Sequence, residues 1–235
     1  MTSTRLPGKV MKPVLGTPLL EYMIDRLQHM ELIHDIMIAT TTNREDDVIV
    51  ELARKKGVGI FRGSEMDVMG RVLAAARSCN ADLIVETTAD CPLIDPVESA
   101  KVVECYLSGN YDYVSNIMTR TYPRGMDTQV FSTDLLEKVS RLTTHPADRE
   151  HVAFYIYQRP REYKLANIAA PKHLMDPQLR LTVDTPEDFA LIEAIIEGVW
   201  PENSEPSLHE MLQYLKKNPH LRQLNENIQQ KTVNY

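Results

Sequence analysis

Two cations and two carboxylates stand out by residue type and spacing. Arg5 and Lys9 flank Pro7-Gly8 and follow the hydroxyls of Ser3 and Thr4. Glycine lets the backbone take a positive φ or approach a ligand closely, and proline stiffens the turn. Successive N–H groups in such a loop form an anion-binding concavity. An arginine forks onto phosphate oxygens, and a lysine offers a mobile point charge. The same residues would also make a solvated basic turn ahead of a helix. Asp90 follows the apolar run Leu83-Ile84-Val85, and Asp184 ends Leu181-Thr182-Val183. Open parallel sheets bind ligands at the carboxyl ends of their strands. A carboxylate there can hold Mg²⁺, which takes one or two carboxylates together with phosphate oxygens. Each aspartate alone reads equally as a turn or capping residue. Two at two strand ends favour a metal-binding pair.

The remaining polar residues carry less chemistry. Asp95 precedes Pro96 and reads as a helix cap, and Glu187 and Asp188 complement a helix dipole. His145 and His151 are six apart, which puts them on different faces of a helix, and the other histidines form no cluster. The three cysteines lack a C-x-x-C pair, so they read as small core residues in a reducing cytoplasm. Neither G-x-x-x-x-G-K-[ST] nor G-x-G-x-x-G occurs, and no Ser-His-Asp arrangement can be singled out.

The elements that must position these groups alternate. A helix is expected from Thr17-Pro18 through Leu27, a strand at 36–40, a helix from Asn43 stopped by Gly57, and a strand at 58–61. A helix over 68–78, a strand at 83–85 and a helix from Asp95-Pro96 to about Leu107 follow. This alternation predicts βαβ units and a parallel sheet. Beyond Tyr111 the spacing changes. Strands are expected at 113–115, 129–131, 163–168 and 181–183, and helices from Thr133 or Asp134, over 145–158, from Thr185-Pro186, over 207–217 and over 221–229. The last dozen residues read as an exposed tail. With 235 residues, 43% hydrophobic and 25% charged, the chain can bury a core without disulfides. A net charge of −7 argues against nucleic acid as the main partner but leaves room for a local basic pocket. No run approaches a membrane-spanning length, and no signal peptide is expected.

The order Ser3-Thr4-Arg5-Leu6-Pro7-Gly8-Lys9-Val10 resembles the signature loop of the sugar cytidylyltransferases: CMP-Kdo synthetases, acylneuraminate cytidylyltransferases and the spore-coat polysaccharide cytidylyltransferase-like branch. Ala39-Thr40-Thr41, Arg62-Gly63-Ser64-Glu65, Ala89-Asp90-Cys91-Pro92-Leu93-Ile94-Asp95, Asp148-Arg149-Glu150-His151 and Val183-Asp184-Thr185-Pro186-Glu187-Asp188 match in the same order. The resemblance covers nearly the whole chain and is nearest to the spore-coat branch. It implies a three-layer α/β/α Rossmann-like nucleotide-diphospho-sugar transferase fold with a mostly parallel sheet. A nucleotidyltransferase domain would span 1–200, with an inserted subdomain at about 111–170 for acceptor and dimer contacts, and 201–235 would be a helical extension.

By the same resemblance, Arg5 and Lys9 contact the phosphates of CTP, with Ser3, Gly8 and Ala39 lining the nucleotide and Arg62 and Ser64 near the base. Asp90 and Asp184 hold Mg²⁺, and Lys9, Arg5 and Asp90 are the catalytic set. Arg124, Asp127, Arg149 and His151 face the acceptor sugar. The reaction is attack of a sugar hydroxyl on the α-phosphorus of CTP, giving a CMP-sugar and pyrophosphate in a cytoplasmic homodimer. Two departures accompany the match. The family's apolar strand ahead of the loop, ending in Ala-Arg, is absent from this sequence, which is expected to leave two neighbouring strands unpaired in mid-sheet. Ala89 stands where the family has glycine. The rival readings are a nucleotide-binding relative without turnover and a metal-dependent glycosyltransferase, against which the lack of Asp-x-Asp weighs.

Overall fold

The computed structural model describes residue 1 and residues 3–230. The last five residues of the expected tail lie outside that range.

The signature loop leads into a short ribbon of β1 (Pro13–Val14) and β2 (Thr17–Pro18), turned at Gly16. Helix α1 (Leu19–Gln28) therefore begins after Pro18, one turn residue later than the proline pattern predicts. Strand β3 (Met37–Thr41), helix α2 (Asp47–Lys56), strand β4 (Gly59–Gly63), helix α3 (Val68–Ser78), strand β5 (Leu83–Glu86) and helix α4 (Pro96–Ser108) then follow in the expected alternation. Local chemistry fixes their ends. Gly57 stops α2 with a φ of 67°, Asp67 accepts from the Gly70 amide at the start of α3, and Asp95 accepts from Val97 and Glu98 at the start of α4.

The later half holds β6 (Tyr113–Ser115), β7 (Gln129–Ser132), α5 (Thr133–Leu142), α6 (Pro146–Glu150), α7 (Phe154–Tyr157), β8 (Leu165–Asn167), α8 (Pro186–Val199) and α9 (Leu208–Lys217). The single helix expected over 145–158 is two short ones, because Val152 takes a positive φ of 46° between them. The expected helix at 221–229 is a 3₁₀ segment at Pro219–Leu224. Residues 181–183 are not a strand. The chain bends at Thr182, and Leu181 and Val183 donate to the carbonyls of Arg124 and Asp90.

The mostly parallel sheet expected from the alternation is replaced by small, mixed sheets. β3 and β4 form a parallel pair, and β5-β7-β6-β8 form a second sheet in that order. In the second sheet β7 runs antiparallel to both β5 and β6, and only β6 and β8 are parallel. The physical reason is the return loop 116–128. Its Asn116 side chain donates to the Met126 carbonyl and accepts from the Thr128 amide, which turns β7 back between β5 and β6. β3 and β5 lie in different sheets, each with one strand neighbour among the described residues.

Helix α1 spans the two sheets. Leu20 and Ile24 pack with Ile38, Ile49, Leu52 and Ile60, whereas Met23 and Leu27 pack with Val102, Val114 and Val130. Each such side chain, once fully buried, contributes roughly 1.5–3 kcal/mol. A third cluster joins Leu6 of the signature loop to Leu181, Val183, the apolar face of α8 and Leu208, Met211 and Leu215 of α9. That burial fixes where the loop's cations point.

Candidate active site

The loop crosses above the ends of β5 and the 181–184 segment. Gly8 adopts φ 68°, ψ 15°, a left-handed conformation that favours glycine, and its amide donates to the Met1 carbonyl. Ser3 Oγ accepts from the Leu6 amide at 3.4 Å. With the turn set, Lys9 Nζ lies 2.8 Å from Asp90 Oδ2 and 2.9 Å from Asp184 Oδ1. Arg5 Nη2 lies 3.0 Å from the same Asp184 oxygen. The four residues singled out by type and spacing thus meet at one point, although 175 residues separate Lys9 from Asp184.

Asp184 sits in a dense cationic surround. Arg180, which nothing in the sequence distinguished, contributes Nη2 at 3.3 Å to Asp184 and clasps the fully buried carboxylate of Asp188 through Nε and Nη2. Asp188 also accepts from the amides of Asp184 and Thr185 and from Asn225 Nδ2. It is therefore the hub of the 184–188 turn as well as the acid of the α8 capping box. Burial works against the charge of Asp184, but Lys9, Arg5 and Arg180 outweigh it and hold the carboxyl below its ordinary range. Burial likewise opposes the charge of Lys9, and the two carboxylates overcome that and raise its pKa. The Cys91 thiol is pushed well up by burial and then by Asp90 and Asp127.

The other expected site residues fall into two further groups. On the β3–β4 side, the Ala39 carbonyl accepts from Arg71 Nε at 3.2 Å. Arg62 spends its guanidinium on the Thr41 and Asn43 carbonyls and Asp47, and Ser64 Oγ accepts from the Asp67 amide. These bonds brace the 41–47 and 62–67 segments. Beneath them, Asp46 takes the Met1 ammonium at 2.8 Å and the hydroxyls of Thr40 and Thr41 at 2.6 and 2.7 Å.

On the far side, Asp127 is gripped by both terminal nitrogens of Arg120 at 2.6 and 2.8 Å. Arg124 joins the 181–184 segment through its backbone, donating to Leu179 and accepting from Leu181. Gly125, at φ 105°, passes so close that a Cβ there would lie 2.4 Å from the Leu181 carbonyl oxygen. Arg149 is bound elsewhere: it forks onto Asp67 at the start of α3 and donates to the Ser140 carbonyl. The His151 ring packs against Phe154.

Sequence reading also missed Glu86. Its carboxyl accepts from Gln129, which in turn accepts from the Tyr113 hydroxyl at 2.6 Å. Burial, then the nearby Asp127, push it up to about 8.

The donor set suits one small, hard cation. Two carboxylates face each other across a single ammonium at under 3 Å on each side. Among the described residues no group of three or more His, Cys, Asp or Glu could hold a metal. Mg²⁺ here would keep water and phosphate oxygens as its remaining ligands, its usual habit. No helix among the described residues is long and apolar enough to cross a membrane.

Comparison with known proteins places the chain in a family. The chain is 36% identical to the uncharacterized protein MJ1063 of Methanocaldococcus jannaschii over 98% of this chain and 93% of that protein. It is 30% identical to the spore coat polysaccharide biosynthesis protein SpsF of Bacillus subtilis over 93% of this chain and 92% of that protein. The solved structure of a cytidylyltransferase from Leptospira borgpetersenii superposes with a TM-score of 0.88 at 34% identity, covering 100% of this chain and 95% of that one. The cytidylyltransferase family matches residues 1–232. A signature loop that delivers Arg5 and Lys9 onto Asp90 and Asp184 is thus found in a chain that belongs to the cytidylyltransferase family and is a nucleotidyltransferase.

Proposed function

We propose that this protein transfers CMP from CTP to a hydroxyl of a sugar acid or related sugar, releasing pyrophosphate, in the biosynthesis of a surface polysaccharide. The observation that carries the reading is the meeting of Arg5 and Lys9 with Asp90 and Asp184 at the foot of one glycine-turned loop. Asp90 and Asp184 would hold Mg²⁺, which when bound would neutralise the triphosphate and polarise the α-phosphorus. The chain's own residues do the rest. Arg5 and Lys9 take the phosphate oxygens, and Lys9 balances the charge that grows on the departing pyrophosphate. Ser3, Gly8 and Ala39 border the nucleotide, and Arg62 and Ser64 hold the segments beside the base. The acceptor approaches from the Arg124–Asp127 side, with Arg149 and His151 on the α6–α7 wall, so that binding places its hydroxyl in line. A reaction that draws on the CTP pool belongs in the cytoplasm, and a homodimer formed through the 111–170 region is part of this reading.

The test is pyrophosphate release from CTP with Mg²⁺ and a panel of acceptor sugars. Asp90→Asn is expected to lower turnover by more than ~100-fold, the scale of losing one preorganised charge contact. Retention of full activity in that variant would overturn the metal assignment. One observation favours a second reading, a nucleotide-binding protein without turnover: β3 and β5 do not pair, so the base side and the phosphate side rest on separate sheets. Saturable CTP binding with no pyrophosphate from any acceptor would select it.

A further inference from the structure

Lys9 does more here than wait for phosphate. Its ammonium sits between the two carboxylates at 2.8 and 2.9 Å, and Arg5 supplies a second positive charge to Asp184. Two carboxylates are too few to hold Mg²⁺ alone against its hydration shell, and a site of this kind is ordinarily completed by substrate phosphates. A divalent ion and the ammonium cannot share the position, because like charges a few ångströms apart repel strongly in a half-buried site. The triphosphate offers new anionic oxygens to the loop that carries both Arg5 and Lys9, so its arrival gives the ammonium somewhere to go. This inference rests on the CTP reading of the same site.

We propose that Lys9 is the resident cation of the Asp90–Asp184 pair in the nucleotide-free protein, so that the divalent metal enters only together with CTP, as Lys9 moves from the carboxylates to the phosphates. Lys9 then holds both aspartates in place and keeps free metal from binding first. The substrate is the metal–nucleotide complex, and the binding order follows from the loop rather than from a separate lid.

The experiment titrates the intact protein with Mn²⁺ alone, followed by the loss of the free-ion paramagnetic resonance signal, for wild type, Lys9→Met, Lys9→Gln and Lys9→Arg. Wild type and Lys9→Arg are expected to bind Mn²⁺ weakly. Lys9→Met and Lys9→Gln are expected to bind at least tenfold more tightly, and adding Asp90→Asn to Lys9→Met is expected to abolish the gain. Circular dichroism melting of each variant reports its folding, and the two neutral replacements guard against loss of either one. Equal Mn²⁺ affinity in wild type and the neutral variants overturns the proposal, as does a gain that survives Asp90→Asn. A parallel calorimetric titration of wild type with CTP in the presence of Mg²⁺ keeps the two readings apart. Absent CTP binding with the Mn²⁺ gain intact rejects the nucleotide assignment and the metal-with-CTP order but leaves Lys9 as resident cation. CTP binding without the Mn²⁺ gain rejects the proposal alone.

Discussion

The β3–β4 pair and the four-stranded sheet are both built on apolar runs and end in different states. In the four-stranded sheet, Tyr113, Val114, Val130 and Phe131 are fully buried. In the two-stranded sheet, Thr40 is the only buried residue of β3, and every residue of β4 is half-buried. Met-Ile-Ala in β3 and Tyr-Val and Val-Phe in β6 and β7 are all apolar runs, so apolar character alone does not separate them. Position does: β7 lies between two strands, whereas β3 has one strand neighbour among the described residues. A strand is buried by what flanks it as much as by its own residues. The functional consequence follows the same line. Asp90 and Asp184 are anchored to the well-packed body, while Ala39, Arg62 and Ser64 stand on the looser pair, held by local polar ties and by α1 and α3.

Substitutions can break or sharpen that contrast. Phe131→Ala is expected to cost about 3–5 kcal/mol, the usual loss for a buried phenylalanine, whereas half-buried Phe61→Ala should cost about 1 kcal/mol. Denaturant unfolding of the two variants measures both, and equal losses would mean that the small sheet is packed as firmly as the large one. Asp184→Asn comes next. It leaves Lys9, Arg5 and Arg180 facing a neutral amide, and should destabilise by about 2–3 kcal/mol near neutral pH. Because the Asp184 pKa is depressed on folding, its contribution is present above the ordinary carboxylate range and lost as pH falls through the folded value. The difference between wild type and Asp184→Asn should therefore shrink in acid, as thermal melts across pH would show.

Glu86 predicts the opposite sign. Folding raises its pKa from 4.5 to about 8. Between those values the unfolded chain has given up a proton that the folded one keeps, so stability falls as pH rises through the window. Glu86→Gln should leave the melting temperature little changed at pH 4 and stabilise by about 1–2 kcal/mol at pH 8.5, a figure reduced for partial exposure. A Gln variant no more stable at pH 8.5 would show that water reaches this carboxyl through the open edge of β5. The smallest effect belongs to the loose side. Arg62→Ala removes ties to Thr41, Asn43 and an exposed Asp47 and should cost about 0.5–1 kcal/mol. Faster amide hydrogen exchange confined to 41–47 would locate that loss.

What was legible in the sequence and what was not divides along locality. The helix starts at Asp95-Pro96 and Thr185-Pro186 and the stop at Gly57 are written in neighbouring residues, and they stand where expected. Lys9, Asp90 and Asp184 could each be singled out because strand ends and a basic glycine loop have a known geometry, but their ion pairing with one another was not expected. Arg180 and Glu86 were not reachable, since their importance lies in partners at 188, 225 and 129 rather than in any spacing. The reversal of β7 escaped for a similar reason: strand direction is set by the Asn116 ties within a return loop, and apolar periodicity is the same read in either direction.

The sequence by itself determined the residue types of the site, the order in which they occur and most of the helices, because capping, turn and periodicity signals act over a few residues. Only the tertiary structure decided that β6 and β7 would each lie between two strands while β3 has one strand neighbour among the described residues. It alone decided that one ammonium would sit between two aspartates from distant parts of the chain. Hydrogen-bond pairing across a sheet and charge pairing across a cleft depend on which segments meet, and that is settled by packing the whole chain at once.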